Sequence, residues 1–174
     1  MTTDDGAGAG DLRRALIAGN RTYAATFADG AASKLPQREV FVLTCMDARI
    51  DPLPLLGLQL GDAHVVRNAG GRVTDDVVRS LLLSSTLRGT RAAVVIHHTD
   101  CGLGATTDDR MRASLRDHGI DVGDMAIGAF DDLDQSVRDD VAALAAEPRV
   151  GSALAVWGYV YDVASGRLRE VDTA

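Results

Sequence analysis

Two cysteines and a histidine follow apolar segments in a pattern that suits a metal ion. Cys45 comes directly after residues 40–44, and a second apolar segment, residues 92–96, leads to His98 and Cys101. Continuous apolar segments of this length are typical of buried strands, and two such strands in one sheet would bring both thiols and an imidazole to the same edge. Thiolate and imidazole are zinc ligands, and three protein ligands leave the fourth position open, as in catalytic zinc sites.

The spacing leaves several features of this ligand set open. His98 and Cys101 fit a tight turn, whereas His97 would point to the opposite face of an extended strand and is expected to pack in the core. The two cysteines could pair as a disulfide, but the nearby histidine and aspartate and an expected cytoplasmic location favour a metal. Asp47 or a second histidine could also occupy the fourth position and close the site.

Asp47 and Arg49 are two residues apart, directly after Cys45, so an extended segment would point both side chains to the same side. Arginine can hold a carboxylate through two parallel hydrogen bonds, and the pair could be a structural ion pair. It could also be a gate, in which Asp47 held by Arg49 orients a zinc-bound hydroxide and Asp47 released from Arg49 binds zinc itself. Two thiolates neutralise the formal charge of zinc, so a carboxylate that accepts a hydrogen bond from the hydroxide would help to activate it.

The elements that would position these residues alternate between strands and helices. That order predicts a single α/β domain with a mostly parallel sheet flanked by helices. Ligand sites in such folds lie beyond the carboxyl ends of the strands, where Cys45, residues 68–71 and residues 98–101 all fall. Strands are predicted at residues 39–44, 63–67, 91–98 and 153–163 with a short antiparallel strand at 168–171, and helices at residues 11–28, 74–87, 106–119 and 131–147.

The N-terminal segment is predicted to lie outside this core. Residues 1–10 are small and polar and are expected to form a disordered lead, so that the zinc-binding α/β domain covers residues 11–174. The first helix, beginning at the N-cap Asp11, is expected to pack on a partner subunit or on a sheet edge.

Composition excludes several classes of partner. The formal net charge is −7, which argues against nucleic acid and anionic membrane surfaces. No apolar segment is long enough to cross a bilayer, and the N-terminus lacks the apolar region of a secretory signal, so a cytoplasmic location is expected. The acidic pairs are expected on solvated helix faces or at helix starts. These pairs are Asp108-Asp109, Asp131-Asp132 and Asp139-Asp140.

Taken together, three motifs resemble the β-class carbonic anhydrases: Cys45-x-Asp47-x-Arg49, the segment 67–70 (Arg-Asn-Ala-Gly), and His98-x-x-Cys101-Gly102. The resemblance implies Zn²⁺ held by Cys45, His98 and Cys101, with Asp47 and Arg49 as the gating pair. It also implies reversible hydration of carbon dioxide to bicarbonate and a proton by zinc-bound hydroxide, in a homodimer or homotetramer with sites near the subunit interface. The implied wall of the substrate pocket consists of Val66, Asn68, Ala69, Gly70, Gly71 and Gly102.

Two departures from the family pattern keep alternative functions open. Met46 replaces the usual small residue after the first cysteine, and Gln37 is out of step with a glutamine that family members supply near a neighbouring site. The pattern is most similar to a compact subgroup that is also similar to hydrolases of carbonyl sulfide or carbon disulfide. A third possibility is a non-catalytic zinc-binding or redox-sensing module, in which Cys45 and Cys101 release the metal on oxidation.

Overall fold

The computed structural model describes residues 5–150 and 154–173, which form two compact units divided between Ala32 and Ser33. The first unit contains one helix, α1 (Asp5–Thr26). This helix begins before the predicted N-cap Asp11, so residues 5–10 are helical although a disordered lead was expected there; residues 1–4 lie outside the described part. Alanines alternate with the glycines of this segment, and their high helix propensity offsets the cost of the glycines.

The second unit is an α/β fold, as predicted. The strand order is β2-β1-β3-β4-β5; the first four strands are parallel, and β5 runs antiparallel to β4. Part of the predicted start of the fourth strand, including Ala153, lies outside the described residues. None of the described helices has the length and apolar character that a bilayer span requires. The elements are β1 (Val40–Cys45), α2 (Pro52–Leu55), β2 (Ala63–Asn68), α3 (Asp75–Arg88), β3 (Ala92–His98), α4 (Asp108–Asp117), α5 (Leu133–Ala146), β4 (Ala155–Asp162) and β5 (Arg167–Val171).

Helices α3 and α5 supply the main core on one face of the sheet. The opposite face carries a smaller apolar cluster, to which α2 contributes Leu55. Strands β1 and β3 are therefore buried on both faces, which explains why their sequences are continuously apolar. The main core contains Phe41, Leu43 and Val95 of the sheet, Val77 and Leu81 of α3, and Val137 and Leu144 of α5.

The ends of α3 follow the signals in its sequence. The hydroxyl oxygen of Thr74 accepts a hydrogen bond from the amide of Val77, which satisfies a free donor of the first turn. Gly89 ends the helix in the left-handed conformation, with φ of 77°. These two caps set where α3 begins and where it ends.

A short 3-10 turn, Ala69–Gly71, joins the end of β2 to α3 and presses against β1. The Asn68 side chain closes this turn, because its Nδ2 donates to the Arg72 carbonyl at 2.7 Å and its Oδ1 accepts from the Arg72 amide at 2.8 Å. Gly71 has φ of 70°, and a Cβ atom there would lie 3.0 Å from the amide nitrogen of Cys45. The turn therefore requires glycine at position 71, both for its backbone angle and for the space beside Cys45.

We predict that Gly71→Ala destabilises the protein more than Gly89→Ala does, although both glycines have a positive φ. A Cβ atom at Gly89 meets no atom within 4 Å, so Gly89→Ala should lower the free energy of unfolding by about 1 kcal/mol, the cost of the left-handed backbone. Gly71→Ala should cost about 3 kcal/mol, because main-chain atoms of β1 must also move. Urea denaturation measures both losses, and equal losses would contradict the close packing of the turn on β1.

Candidate metal centre

The three predicted ligands meet at the carboxyl edge of the sheet. Cys45 ends β1, His98 ends β3 and Cys101 follows in the next turn. The two sulfur atoms and a ring nitrogen of His98 lie within 4.8 Å of one another. Adjacent parallel strands produce this arrangement, because β1 and β3 pair in register with Thr44 opposite Ile96.

The orientation of His98 leaves one ring nitrogen available to a metal. Nδ1 of His98 donates a hydrogen bond to the Thr99 carbonyl at 2.9 Å. Nε2 of His98 is buried and makes no hydrogen bond with any described residue. A buried nitrogen without a partner is costly in a folded protein, and a metal ion would satisfy it. Two sulfurs and one imidazole nitrogen are a donor set that fits zinc.

The turn that carries Cys101 is anchored on the neighbouring strand. The amide of Thr99 donates to the Tyr161 carbonyl at 3.0 Å, and the Thr99 hydroxyl oxygen accepts from the Val163 amide at 3.1 Å. Asp100, the next residue, has φ of 54° and turns the chain sharply. The position of Cys101 relative to His98 is therefore set by β4.

The two thiols differ in acidity in the metal-free site. The pKa of Cys45 is lowered to about 4, chiefly because Cys101 donates a hydrogen bond to its sulfur; burial opposes this, while His98 and the amides of Asp47 and Gly70 add to the lowering. The same contact with the Cys45 thiolate raises the pKa of Cys101 above its usual range. A thiolate is the form that binds zinc, so the lowered pKa of Cys45 favours metal binding.

Asp47 and Arg49 form the two-pronged contact expected from their spacing. Nε of Arg49 donates to Oδ1 of Asp47 at 2.9 Å, and Nη2 donates to Oδ2 at 2.7 Å. These hydrogen bonds hold the pKa of Asp47 far below its usual range. Oδ2 of Asp47 also lies 4.0 Å from Nε2 of His98. The structure therefore places the carboxylate beside the three ligands while Arg49 holds it.

Arg67 fixes the loop that connects Cys45 to Asp47. Its Nε donates to the Cys45 carbonyl at 3.0 Å, and its Nη2 donates to the Asp47 carbonyl at 2.7 Å. The amide of Met46 donates to the Asn68 carbonyl at 2.8 Å, which continues the pairing of β1 with β2. The sequence marked Arg67 as part of the motif 67–70 but did not predict that it would fix this loop.

Comparison with known proteins assigns the chain to a family. The family model described as carbonic anhydrase matches residues 40–121. β-Carbonic anhydrase 1 of Mycobacterium tuberculosis is 39% identical over 155 residues, an alignment that covers 89% of this chain and 94% of the relative. The chain belongs to the β-carbonic anhydrase family. The predicted resemblance and the predicted enzyme class are therefore confirmed.

Two further proteins that resemble this chain carry different names. The crystal structure of a carbonic anhydrase from Streptococcus mutans is 43% identical, covers 91% of this chain and 96% of its own, and has a TM-score of 0.87. A carbon disulfide hydrolase from Saccharolobus solfataricus is 34% identical, covering 76% of this chain and 77% of the relative. The chain thus resembles proteins named for two different substrates.

In this family member a buried charged cluster lies behind the ligands, around Asp140 of α5. Nε of Arg72 is 2.7 Å from Oδ2 of Asp140, and Nε2 of His97 is 3.1 Å from the same oxygen. Nη2 of Arg72 also donates a hydrogen bond to Oδ1 of Asp140 at 3.4 Å, and the Val73 amide donates to the same oxygen at 3.2 Å. Nδ1 of His97 pairs with the Ser136 hydroxyl at 2.7 Å. His97 therefore has the core role expected of it.

The expectation that Asp139 and Asp140 share a solvated face of their helix is wrong for Asp140. Asp140 is only 4% exposed, whereas its neighbour Asp139 is exposed. Because the side chains of Arg72 and His97 come from the turn after β2 and from β3, Asp140 connects α5 to both flanks of the metal centre. Helical periodicity distinguishes the two aspartates, because Asp140 lies on the buried stripe of α5 with Val137 and Leu144.

Of the residues predicted to line the substrate pocket, some line a cavity, some are buried and one is exposed. Val66, Asn68 and Ala69 line a cavity of about 360 Å³, which Arg67 and Arg72 also border. Two of the predicted glycines, Gly70 and Gly71, are buried, and Gly102 is exposed. None of the three candidate ligands lines this first cavity. A second cavity, of about 300 Å³, does reach two of them; it is lined by His98, Asp100, Cys101, Gly104, Ala105, Phe130, Asp131 and Leu133.

We predict that Cys45→Ser lowers zinc affinity by more than about 100-fold, because loss of a ligand should exceed the effect of changing a residue that only supports one. Competition with a chelator, read as bound zinc per chain, measures this affinity. Met46→Ser is the control, since Met46 is adjacent and 65% exposed, and it should retain zinc. Full zinc retention by Cys45→Ser would contradict the ligand assignment.

We predict that Asp140→Asn lowers the free energy of unfolding by about 3 kcal/mol, because it leaves the Arg72 guanidinium partly buried without its counter-charge. Asp139→Asn, one residue away on the exposed side of α5, should cost less than about 0.5 kcal/mol. Thermal and urea unfolding of both variants provide the comparison. Similar losses in the two variants would show that the buried cluster contributes little.

Proposed function

We propose that this protein catalyses the zinc-dependent, reversible hydration of carbon dioxide to bicarbonate and a proton. The observation that carries this proposal is the meeting of Cys45, His98 and Cys101 beside a carboxylate, Asp47, that Arg49 holds in place. The 39% identity to a β-carbonic anhydrase over most of both chains supports it.

The ligand residues have a defined task in this reaction. The sulfurs of Cys45 and Cys101 and Nε2 of His98 would hold zinc, which supplies a Lewis acid that activates water near neutral pH. The backbone amides of Asp47 and Gly70 help to lower the pKa of Cys45 and so favour its negatively charged form. The protein therefore provides a negatively charged ligand set whose donors are fixed before the reaction.

Asp47 and Arg49 orient the attacking water. Held by Arg49, the Asp47 carboxylate stays ionised and presents an acceptor oxygen 4.0 Å from Nε2 of His98. A water that donates to this oxygen keeps a lone pair directed at the carbon of carbon dioxide. One carbon–oxygen bond forms, and the proton leaves to solvent. Released from Arg49, Asp47 would itself bind zinc and close the site.

The comparisons favour carbon dioxide over carbon disulfide as the substrate. The chain is 39% identical to a β-carbonic anhydrase over 89% of its length, and 34% identical to a carbon disulfide hydrolase over 76% of its length. The similarity to a carbon disulfide hydrolase makes hydrolysis of carbon disulfide or carbonyl sulfide the second candidate.

We also propose a cytoplasmic homo-oligomer, a homodimer or homotetramer. One face of the sheet carries partly buried apolar side chains, and Trp157 on β4 is 44% exposed. Helix α1 presents exposed apolar residues, including Leu16 and Phe27. Apolar surfaces of this kind are typical of subunit contacts, and α1 is proposed to pack on a partner subunit or a sheet edge.

Zinc content and turnover of carbon dioxide, carbonyl sulfide and carbon disulfide, measured on one preparation, test the proposed function. We expect about one zinc per chain, the fastest turnover with carbon dioxide, and a homo-oligomer by light scattering. Faster turnover of either sulfide would identify the second candidate as the function. Full zinc occupancy with no turnover of any of the three would favour a non-catalytic zinc-binding module.

A further inference from the structure

Arg49 is shared between the two segments that carry the metal ligands. Besides its contacts with Asp47, its Nη1 donates to Oδ2 of Asp100 at 2.7 Å, and its Nη2 donates to the Asp100 carbonyl at 2.9 Å. Every nitrogen of the guanidinium therefore donates a hydrogen bond. Asp100 lies between His98 and Cys101. Arg49 therefore connects the turn after β3, residues 98–101, which we call the ligand turn, to the loop after β1.

We propose that Asp100 is a positioning residue, which keeps Arg49 in the orientation that holds Asp47 away from the metal. The inference rests on the proposed function, because it concerns the same metal centre. It adds a third member, supplied by the ligand turn itself, to the pair formed by Asp47 and Arg49.

The need for a second anchor follows from the exposure of Arg49. Its side chain is 45% exposed, and a long exposed arginine loses considerable conformational freedom when it is held in one orientation. Asp47 must be able to leave Arg49 if it is to bind the metal, so Asp47 cannot be the only group that fixes the guanidinium. Asp100 fixes it independently, through one side-chain contact and one main-chain contact.

The geometry argues that Asp100 supports the contact between Arg49 and Asp47 and does not compete with it. The Asp47 carboxylate receives hydrogen bonds from Nε and Nη2 of Arg49, whereas the Asp100 carboxylate receives its hydrogen bond from Nη1. The two carboxylates thus occupy different sides of the guanidinium. Removing the Asp100 charge frees Arg49 to move without giving Asp47 a new donor.

Exposure to solvent limits how strongly Asp100 can hold Arg49. The Asp100 side chain is 80% exposed, and exposed ion pairs contribute modestly. We therefore expect Asp100 to change the ratio of molecules in which Arg49 holds Asp47 to those in which Asp47 is released by about three- to five-fold. An exposed ion pair can supply an effect of this size. Asp100→Asn isolates the charge, because asparagine has nearly the same shape and also tolerates the positive φ of this position.

Asp131 provides a matched control. It lines the same cavity as Asp100, next to His98 and Cys101, and carries the same charge. No hydrogen bond or ion pair joins it to Arg49 in the described structure. Asp131→Asn therefore removes a negative charge from the same cavity but leaves the contact between Asp100 and Arg49 intact.

The test compares Asp100→Asn, Asp131→Asn and Arg49→Ala, each loaded with Co²⁺ in place of zinc to equal stoichiometry. Visible absorption of the cobalt reports its ligand set without any turnover. Arg49→Ala removes both side-chain donors to Asp47 and leaves only the amide of residue 49 on its Oδ1, so it provides the reference for carboxylate bound to the metal. We expect the Asp100→Asn spectrum to move part of the way towards that reference, and kcat/KM of its zinc form for carbon dioxide to fall three- to five-fold.

Asp131→Asn should leave the spectrum unchanged, and Asp100→Asn should not change the spectrum further when added to Arg49→Ala. An unchanged spectrum for Asp100→Asn would overturn the proposal, as would equal spectral shifts in Asp100→Asn and Asp131→Asn. If the wild-type protein does not hydrate carbon dioxide, the proposed function fails, but the cobalt spectra still decide whether Asp100 positions Arg49.

Discussion

The parallel pairing of β1 with β3 is the constraint on which the metal centre depends. Because the two strands lie side by side in register, their carboxyl ends place Cys45 next to the turn that carries His98 and Cys101. Ligands more than 50 residues apart in the chain thereby come within 4.8 Å of one another. A shift of either strand along the other would separate the two sulfurs, so the burial that fixes this register also fixes the ligands.

Polar contacts then hold the ends of these strands from several sides. Arg67 holds the main chain on both sides of Met46, and Gly71 allows the turn after β2 to approach β1 closely. Behind the sheet, Asp140 connects α5 to Arg72 and to His97. Charged groups in such positions are costly when unpaired, so each is stable only while its partners keep their places. The metal centre is therefore supported by groups that contact no metal.

Sequence alone predicted the strands, the start of α3, the meeting of Cys45, His98 and Cys101, and the contact between Asp47 and Arg49. These features depend on periodicity, on capping residues and on short spacings, all of which are local. The contacts of Asp140 with Arg72 and of Arg49 with Asp100 were not predicted, because their partners lie 68 and 51 residues apart in the chain. The burial of Asp140 could have been predicted, because it shares the apolar stripe of α5 with Val137 and Leu144, but its partners could not.

A crystal structure of the zinc-loaded protein at alkaline pH, with anomalous scattering recorded at the zinc edge, tests the central claim most directly. We predict one zinc peak, about 2.3 Å from the sulfurs of Cys45 and Cys101 and about 2.0 Å from Nε2 of His98. Asp47 should remain on Arg49, and Arg49 on Asp100. A zinc peak elsewhere, or Asp47 bound to zinc while Arg49 keeps every contact described here, would contradict this account.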